Sequence, residues 1–325
     1  MVTNPINHFL DTPWSMAIKI KIHGASTIGH LRPFHGIASI FLVLLLTLSF
    51  FSNAQLQEPD SLKNKRLKPV LIAAGATYAT ALVGLNSLWY ADFERQSFHF
   101  FNDNSEWKQM DKVGHFYAAF QISHSSYRLL RWSGLSENKA LLWGTVSSFL
   151  ALTPIEVFDG FSSGYGASIG DMAANTLGGM AYYVQKKAWN EIRIHPKFYF
   201  RRSGYAPLRP ELLGSSLREE LIKDYNAQEY WLSFDLSKFN DKIPKWLNVS
   251  VGYGASGMVY AEDRSNLQNG YEPRRHYFIG FDLDLHEYKS RSKLVNTLVF
   301  IVNMVRIPSP ALEMSSGELK FHFIY

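Results

Sequence analysis

Three short segments in the first half of the chain combine acidic, imidazole and amide side chains at helical spacing. They are Asp111 with His115, Glu156 with Asp159, and Asp171 with Asn175. The members of each pair are three or four residues apart, so a helix would project both from one face. Carboxylates and imidazoles bind divalent cations, and they are also the groups that enzymes use for general acid–base catalysis.

The order of the three pairs along the chain predicts that they meet. The first pair opens a predicted helix over 111–131, the second closes a helix over 139–158, and the third opens a helix over 169–189. If consecutive helices are antiparallel neighbours, all three pairs lie at the same end of one helical bundle. Four carboxyl groups, one imidazole and one amide would then share a small volume.

Three interpretations of this cluster stay open, because so many carboxylates do not remain ionised together without a cation or a proton. In the first, a divalent cation is the cofactor and its ligands are Asp111, His115, Glu156, Asp159, Asp171 and Asn175. In the second, Glu156 or Asp159 is the catalytic acid or base of an enzyme, with His115 beside it. In the third, Lys112, backbone amides and hydroxyl groups satisfy the carboxylates, and Ser168 caps the following helix.

The elements that would position the cluster are largely apolar. Residues 69–90 carry no charged side chain and are long enough to span a bilayer, with Pro69 at the favoured first position of a helix. Pro154 is predicted to kink or end the third helix. We therefore expect a membrane-associated helical domain over 69–190. The alternative for 69–90 is the buried central helix of a soluble bundle.

The last third of the chain has a different pattern. Beyond a predicted linker over 191–228, apolar and polar side chains alternate in short runs, as in strands with one buried face. The runs are 231–236, 247–253, 277–285 and 319–325, while 294–305 suits either a helix or a buried strand. We expect a small antiparallel β-rich region over 229–325, with too few strands to close a membrane barrel on its own.

The N-terminal residues have the pattern of a cleavable export signal. Arg32 precedes an uncharged run over 37–51, and small residues precede Gln55, the expected mature N-terminus. This pattern assigns 1–54 to a signal peptide and 55–68 to a polar linker. The alternative is an uncleaved membrane anchor.

Composition narrows the classes of function. The formal net charge of +5 is small and no basic stripe interleaves with aromatic residues, so nucleic acid is not an expected partner. The chain contains no cysteine, which excludes disulfides, thiolate catalysis and cysteine–zinc sites. Aromatic residues make up 15% of the chain, a proportion that suits membrane interfaces and β-structure.

Two segments resemble a known family. The segments DKVGHFYAAF (111–120) and EVFDGFSSGYGASIGDMAANTLGG (156–179) look like the YfiM-like family of uncharacterised predicted periplasmic lipoproteins. The matching elements are Asp-Lys-x-x-His, Glu-x-x-Asp-Gly and Ser-x-x-Asp-x-x-x-Asn-x-x-Gly, within a resemblance that covers about 67–185. A more distant similarity is to VanZ-like membrane proteins, which implies a membrane-embedded fold. Neither resemblance implies an established reaction, and without a cysteine to carry a lipid, anchoring would depend on the chain's own apolar helices.

These observations together predict an α+β chain: a mainly α, membrane-associated bundle of about four helices, followed by the small antiparallel β-rich C-terminal region. We expect a cell-envelope protein in the outer membrane or periplasm rather than the inner membrane. Membrane lipid is the expected partner, and other envelope proteins are further candidates. The polar cluster would be structural or cation-binding. The alternative is a membrane hydrolase or transferase that acts on a lipid-linked or cell-wall substrate, with Glu156 or Asp159 as acid/base.

Overall fold

The computed structural model describes residues 63–86, 90, 93–286 and 288–325. The predicted signal peptide, the expected mature N-terminus at Gln55 and the first part of the predicted linker lie outside the described residues. These three assignments therefore stay predictions.

Four long helices form the first part of the described chain. They are α1 (Lys63–Leu85), α2 (Met110–Trp132), α3 (Glu137–Gly160) and α4 (Ile169–Trp189), with a 3-10 turn (Glu106–Gln109) before α2. Helix α2 packs against both α3 and α4, as the predicted bundle requires. The expectation that Pro69 opens the first helix is wrong, because α1 already begins at Lys63. A proline so near a helix start removes one backbone hydrogen bond, and the helix continues through it.

Helix α3 does not end at Pro154 but continues to Gly160. A proline at this position leaves the carbonyl oxygen of Leu150 without its helical N–H partner. The Tyr78 hydroxyl of α1 donates a 2.8 Å hydrogen bond to the carbonyl oxygen of Ala151 and lies 3.5 Å from that of Leu150. Tyr78 therefore satisfies backbone oxygens next to the proline, which explains how the helix persists.

Close contact between α2 and α4 depends on Gly178. A methyl group at this position would lie 2.1 Å from the carbonyl oxygen of Phe116, far inside van der Waals contact. Further along the same interface, Phe120 of α2 packs edge-on against Tyr182 of α4, with 5.6 Å between ring centroids. This approach brings the first turns of α2 and α4 together.

The C-terminal part contains one antiparallel sheet of six strands, which follow one another in sequence order. The strands are β1 (Ile194–Phe200), β2 (Gln228–Phe234), β3 (Leu247–Ser256), β4 (Arg274–Leu283), β5 (Ala311–Ser315) and β6 (Glu318–His322). The connections contain the helices α5 (Pro210–Leu213), α6 (Leu217–Lys223), α7 (Asp263–Gln268) and α8 (Lys293–Val302), and the 3-10 turns Ala206–Leu208, Tyr225–Ala227 and Leu236–Lys238. The predicted α+β class is confirmed.

Two of the six strands are not expected from the sequence. Strand β1 lies within 191–228, so this stretch is not the linker that the sequence predicts. A proline, Pro196, interrupts the sequence signal of β1, but a strand at the edge of a sheet tolerates it. Strand β5 has only five residues, which is too short for a clear alternating pattern. The ambiguous run 294–305 is mostly helix α8.

Two described helices are long and apolar enough to cross a membrane, Arg66–Leu85 and Glu137–Gly160. Both leave large apolar side chains exposed, among them Leu71, Ile72, Val83, Leu142, Trp143, Leu150 and Val157. These helices thus have the length and the surface that the predicted membrane association requires.

Candidate functional site

The first turns of α2 and α4 meet the last turn of α3 at one end of the bundle. They bring His115, Glu156 and Asp171 together, with one ligand atom from each residue within 4.8 Å of the others. The Nε2 atom of His115 lies 3.9 Å from Glu156 Oε1 and 4.0 Å from Asp171 Oδ1. We call these three atoms, together with the residues that carry them, the donor triad.

Hydrogen bonds orient two members of the donor triad. His115 Nδ1 lies 3.0 Å from Asn175 Oδ1. Because an amide oxygen can only accept, Nδ1 donates this hydrogen bond, and Nε2 lies on the side of the two carboxylates. The other oxygen of Glu156, Oε2, accepts a 3.0 Å hydrogen bond from the backbone N–H of Ser168. These hydrogen bonds therefore hold the side chains of His115 and Glu156 in place through atoms other than the two that belong to the donor triad.

The two carboxylate oxygens of the donor triad are buried without a hydrogen-bond partner. This is so for Glu156 Oε1 and for Asp171 Oδ1, in residues that are only 2% and 6% exposed. The Lys112 Nζ atom lies 3.0 Å from Asp171 Oδ1, but this oxygen accepts no hydrogen bond. A buried polar atom without a partner is unfavourable by about 1–3 kcal/mol, and more when it is charged. Two buried acidic oxygens therefore lie beside His115 without a hydrogen bond, an arrangement that a bound cation would stabilise.

Lys112 neutralises only part of the surrounding acidic charge. Its Nζ atom lies 2.6 Å from Asp103 Oδ2 and 2.9 Å from Asp111 Oδ2. Asp171 is the third acidic partner of Lys112, and Glu156 instead lies beside His115. The cluster thus holds more acidic groups than lysine cations, and the interpretation in which Lys112, backbone amides and hydroxyl groups together satisfy the carboxylates stays open beside the other two.

Burial and charge shift the pKa values of these groups in different directions. Burial raises the pKa of Asp171, and the nearby charge of Asp111 adds to this rise. For Asp103, burial acts upward as well, but hydrogen bonds from Lys112 and Ser168 bring its pKa below the ordinary value. Burial alone would lower the pKa of Lys112, yet Asp111 and Asp103 hold it above the ordinary value. Lys112 is therefore a permanent cation, and Asp171 takes up a proton more readily than Asp103.

Asp159 does not belong to the donor triad. Its Oδ1 atom accepts a 2.8 Å hydrogen bond from the hydroxyl group of Tyr90. Tyr90 also lines a cavity at the surface, together with Arg95 and the aromatic rings of Phe158 and Phe161. Of the six predicted site residues, His115, Glu156 and Asp171 carry the donor triad, Asn175 contacts His115, and Asp111 contacts Lys112. The sixth, Asp159, is instead linked through Tyr90 to the neighbouring cavity.

Two further groups at the site lie before α2 in the chain: Asp103 in a stretch without a periodic pattern, and Tyr90 at the end of the apolar stretch 69–90. Asp103 binds Lys112 and accepts a 2.6 Å hydrogen bond from the Ser168 hydroxyl. The capping role of Ser168 itself follows from the sequence, and the structure confirms it: Ser168 Oγ accepts a 3.1 Å hydrogen bond from the backbone N–H of Asp171.

A second group of possible metal ligands lies outside the helical bundle. Ligand atoms of His195, Asp284 and His286 lie within 4.8 Å of one another. The two imidazole rings stack with 4.0 Å between centroids, and His286 Nδ1 lies 2.7 Å from Asp284 Oδ1. Sequence spacing could not reveal this group, because β1 and the segment after β4 are far apart in the chain.

Residues 99–187 match the model of a family described as predicted periplasmic lipoprotein (DUF2279). The match covers about a quarter of the chain and includes α2, α3 and nearly all of α4, with every residue of the donor triad. No curated protein and no solved structure matches the chain. The predicted resemblance to a periplasmic lipoprotein family is confirmed over this range, and similarity to VanZ-like proteins stays a prediction.

Proposed function

We propose that this chain is a cell-envelope protein whose helical bundle binds a divalent cation at the donor triad. The family match over 99–187 supports the location, because that family is described as periplasmic. One observation carries the cation site: Glu156 Oε1 and Asp171 Oδ1 are buried, lack a hydrogen-bond partner and lie within 4.8 Å of a His115 ligand atom.

The donor triad suits a first-row divalent cation. One imidazole nitrogen and two carboxylate oxygens form a mixed set that binds Zn²⁺, Mn²⁺ or Fe²⁺. Ligand atoms about 2.0–2.2 Å from one ion in tetrahedral geometry lie about 3.3–3.6 Å apart. The separations of 3.9 and 4.0 Å from His115 Nε2 therefore require the side chains to move together by a few tenths of an ångström. Asn175 would fix the imidazole of His115, and the Ser168 amide would fix Glu156, as partners of metal ligands commonly do.

Elemental analysis of the purified full chain tests this proposal, with Zn²⁺ and Mn²⁺ titrations of the metal-stripped protein by calorimetry. The site variant is Glu156→Gln, which keeps the size of the side chain and removes its charge. The control variant is His286→Gln, because His286 belongs to the second group of possible ligands. We expect one bound ion per chain that is lost in Glu156→Gln and retained in His286→Gln. A protein without affinity for either ion, or one that retains the ion in Glu156→Gln, contradicts the proposal.

The cavity beside Tyr90 favours a second candidate, a membrane enzyme that acts on a lipid-linked or cell-wall substrate. Its apolar rings could contact a lipid chain, while Arg95 could bind an anionic group such as a phosphate. Asp159, which is hydrogen-bonded to Tyr90, would then serve as acid/base. In this case Asp159→Asn would abolish hydrolysis of lipid-linked phosphates or peptidoglycan fragments and leave the bound metal in place. Absence of any such hydrolysis by the metal-loaded wild type would argue against this candidate.

A further inference from the structure

The outer face of the sheet carries apolar side chains that no described element covers at β3–β6. The antiparallel register places Val251, Ile279, Leu312 and Phe321 in one row across these four strands. Tyr277 and Met314 lie in the next row of the same face. These six side chains, which we call the sheet belt, are between 40% and 65% exposed.

The opposite face of the same strands is buried and mixes polar side chains with the apolar Phe278 and Ala311, which pack with Trp231 and Tyr325. Ser250, Asp282 and Glu313 alternate with the sheet belt along β3, β4 and β5, and all three are buried. The Lys197 Nζ atom of β1 lies 2.6 Å from Asp282 Oδ2, with side chains that are 1% and 0% exposed. Glu313 contacts two histidines at 2.7 Å. Several charged groups thus lie inside the fold beside a small apolar cluster, while the side chains of the sheet belt lie outside.

The exposed face of this sheet is more apolar than is usual for a sheet in water. An antiparallel sheet with one solvated face normally turns its apolar side chains to the core and its polar side chains outward. An uninterrupted exposed apolar surface marks a contact with another molecule or with lipid.

Lipid explains the exposed apolar surface better than a second copy of the chain. Helix α2 covers the same face of the sheet at β1 and β2, where Tyr117 packs against Phe198 and Tyr230. At its first residue, Met110, it also packs against Ala255 near the end of β3, while the sheet belt stays exposed. The exposed apolar residues of α1 and α3 lie on elements long enough to cross a membrane. A lipid phase covers all these elements at once, whereas one protein partner would have to fit helices and sheet together.

We propose that lipid acyl chains cover the sheet belt, so that the C-terminal sheet as well as the helical bundle contacts the membrane. This proposal does not depend on the cation site. The helices suggest a membrane contact, and the proposal adds the C-terminal sheet to it. This sheet lies beyond the family match, which ends at residue 187.

The absence of cysteine from the sequence allows a direct test, because each introduced cysteine is a unique labelling site. Ile279→Cys and Phe321→Cys place a label in the sheet belt, and Lys242→Cys places it at an exposed polar position. Each full-length variant is labelled with an environment-sensitive fluorophore and reconstituted into phosphatidylcholine vesicles, with and without doxyl-labelled lipid. Thermal unfolding confirms that the labelled variants fold like the wild type.

We expect blue-shifted emission and loss of fluorescence in doxyl vesicles at positions 279 and 321, and neither effect at 242. Unquenched labels at both belt positions would overturn the proposal, since the face would then be in water. Energy transfer between labelled copies, without quenching by lipid, would also overturn it and would assign the sheet belt to a second copy. Failure of the folded chain to enter vesicles would overturn it equally.

Discussion

Removal of the Lys112 charge tests how the acidic cluster is balanced. The ammonium group lies within 3.0 Å of oxygens from Asp103, Asp111 and Asp171, and the side chain is 12% exposed. Breaking a buried ion pair at one partner typically costs about 3–5 kcal/mol, because a charge is left uncompensated. The partners here are up to 15% exposed, so Lys112→Met should fall at the lower end, about 3 kcal/mol. At roughly 2–4 °C per kcal/mol for a chain of this size, the Tm should fall by about 6–12 °C.

Thermal unfolding followed by circular dichroism, in buffer with a chelator, measures this loss. The matched control is Lys139→Met, at an exposed lysine of α3, which should leave the Tm nearly unchanged. We also expect added Mn²⁺ to restore part of the lost Tm in Lys112→Met, since a divalent cation can replace the missing charge. A fall equivalent to less than about 1 kcal/mol, the value of a surface ion pair, would refute the reasoning that the carboxylates depend on this lysine.

Three further predictions concern the elements around the site. Burial and the charges of Asp103 and Asp111 raise the pKa of Glu106 from 4.5 to about 7, so the folded state loses stability as the pH rises from about 4.5 to 7. Glu106→Gln should therefore raise the Tm more at pH 8 than at pH 5. An equal change of Tm at both pH values would contradict the raised pKa. Gly178→Ala should destabilise the protein by about 1–3 kcal/mol through overpacking, whereas Gly75→Ala, with open space at its Cβ position, should not. Urea unfolding of both variants measures these two changes in the free energy of unfolding. Tyr78→Phe should cost about 1 kcal/mol in the same assay, because it removes the hydrogen bond to the oxygen of Ala151, and no loss would mean that Pro154 needs no such support.

The parts of the fold with strong periodic patterns could be predicted from the sequence. Helix α4 begins and ends where its pattern predicts, because Ser168 provides a clear N-cap and the polar residues after Trp189 end the apolar repeat. Strand β1 could not be predicted, since Pro196 suggests a loop and only the position at the sheet edge permits a strand. Helix α3 passes through Pro154 because of Tyr78, a tertiary contact that local sequence does not contain.

For the candidate site, too, the residues on periodic helices could be predicted from the sequence, and those held by tertiary contacts could not. Helical spacing and an antiparallel arrangement of helices were sufficient to bring His115, Glu156 and Asp171 to one end of the bundle. The partners that decide the charge balance were harder to predict. Asp103 lies in a segment without a periodic pattern. The pairing of Asp159 with Tyr90 is a tertiary contact between α3 and a residue far away in the chain, which local sequence does not reveal.

Anomalous diffraction from crystals grown with Mn²⁺ tests the cation site most directly. The account predicts a peak about 2.0–2.2 Å from His115 Nε2, Glu156 Oε1 and Asp171 Oδ1, and no such peak in crystals of Glu156→Gln. A wild-type map without a peak among these three atoms, or with Mn²⁺ only at His195, Asp284 and His286, would contradict the central claim.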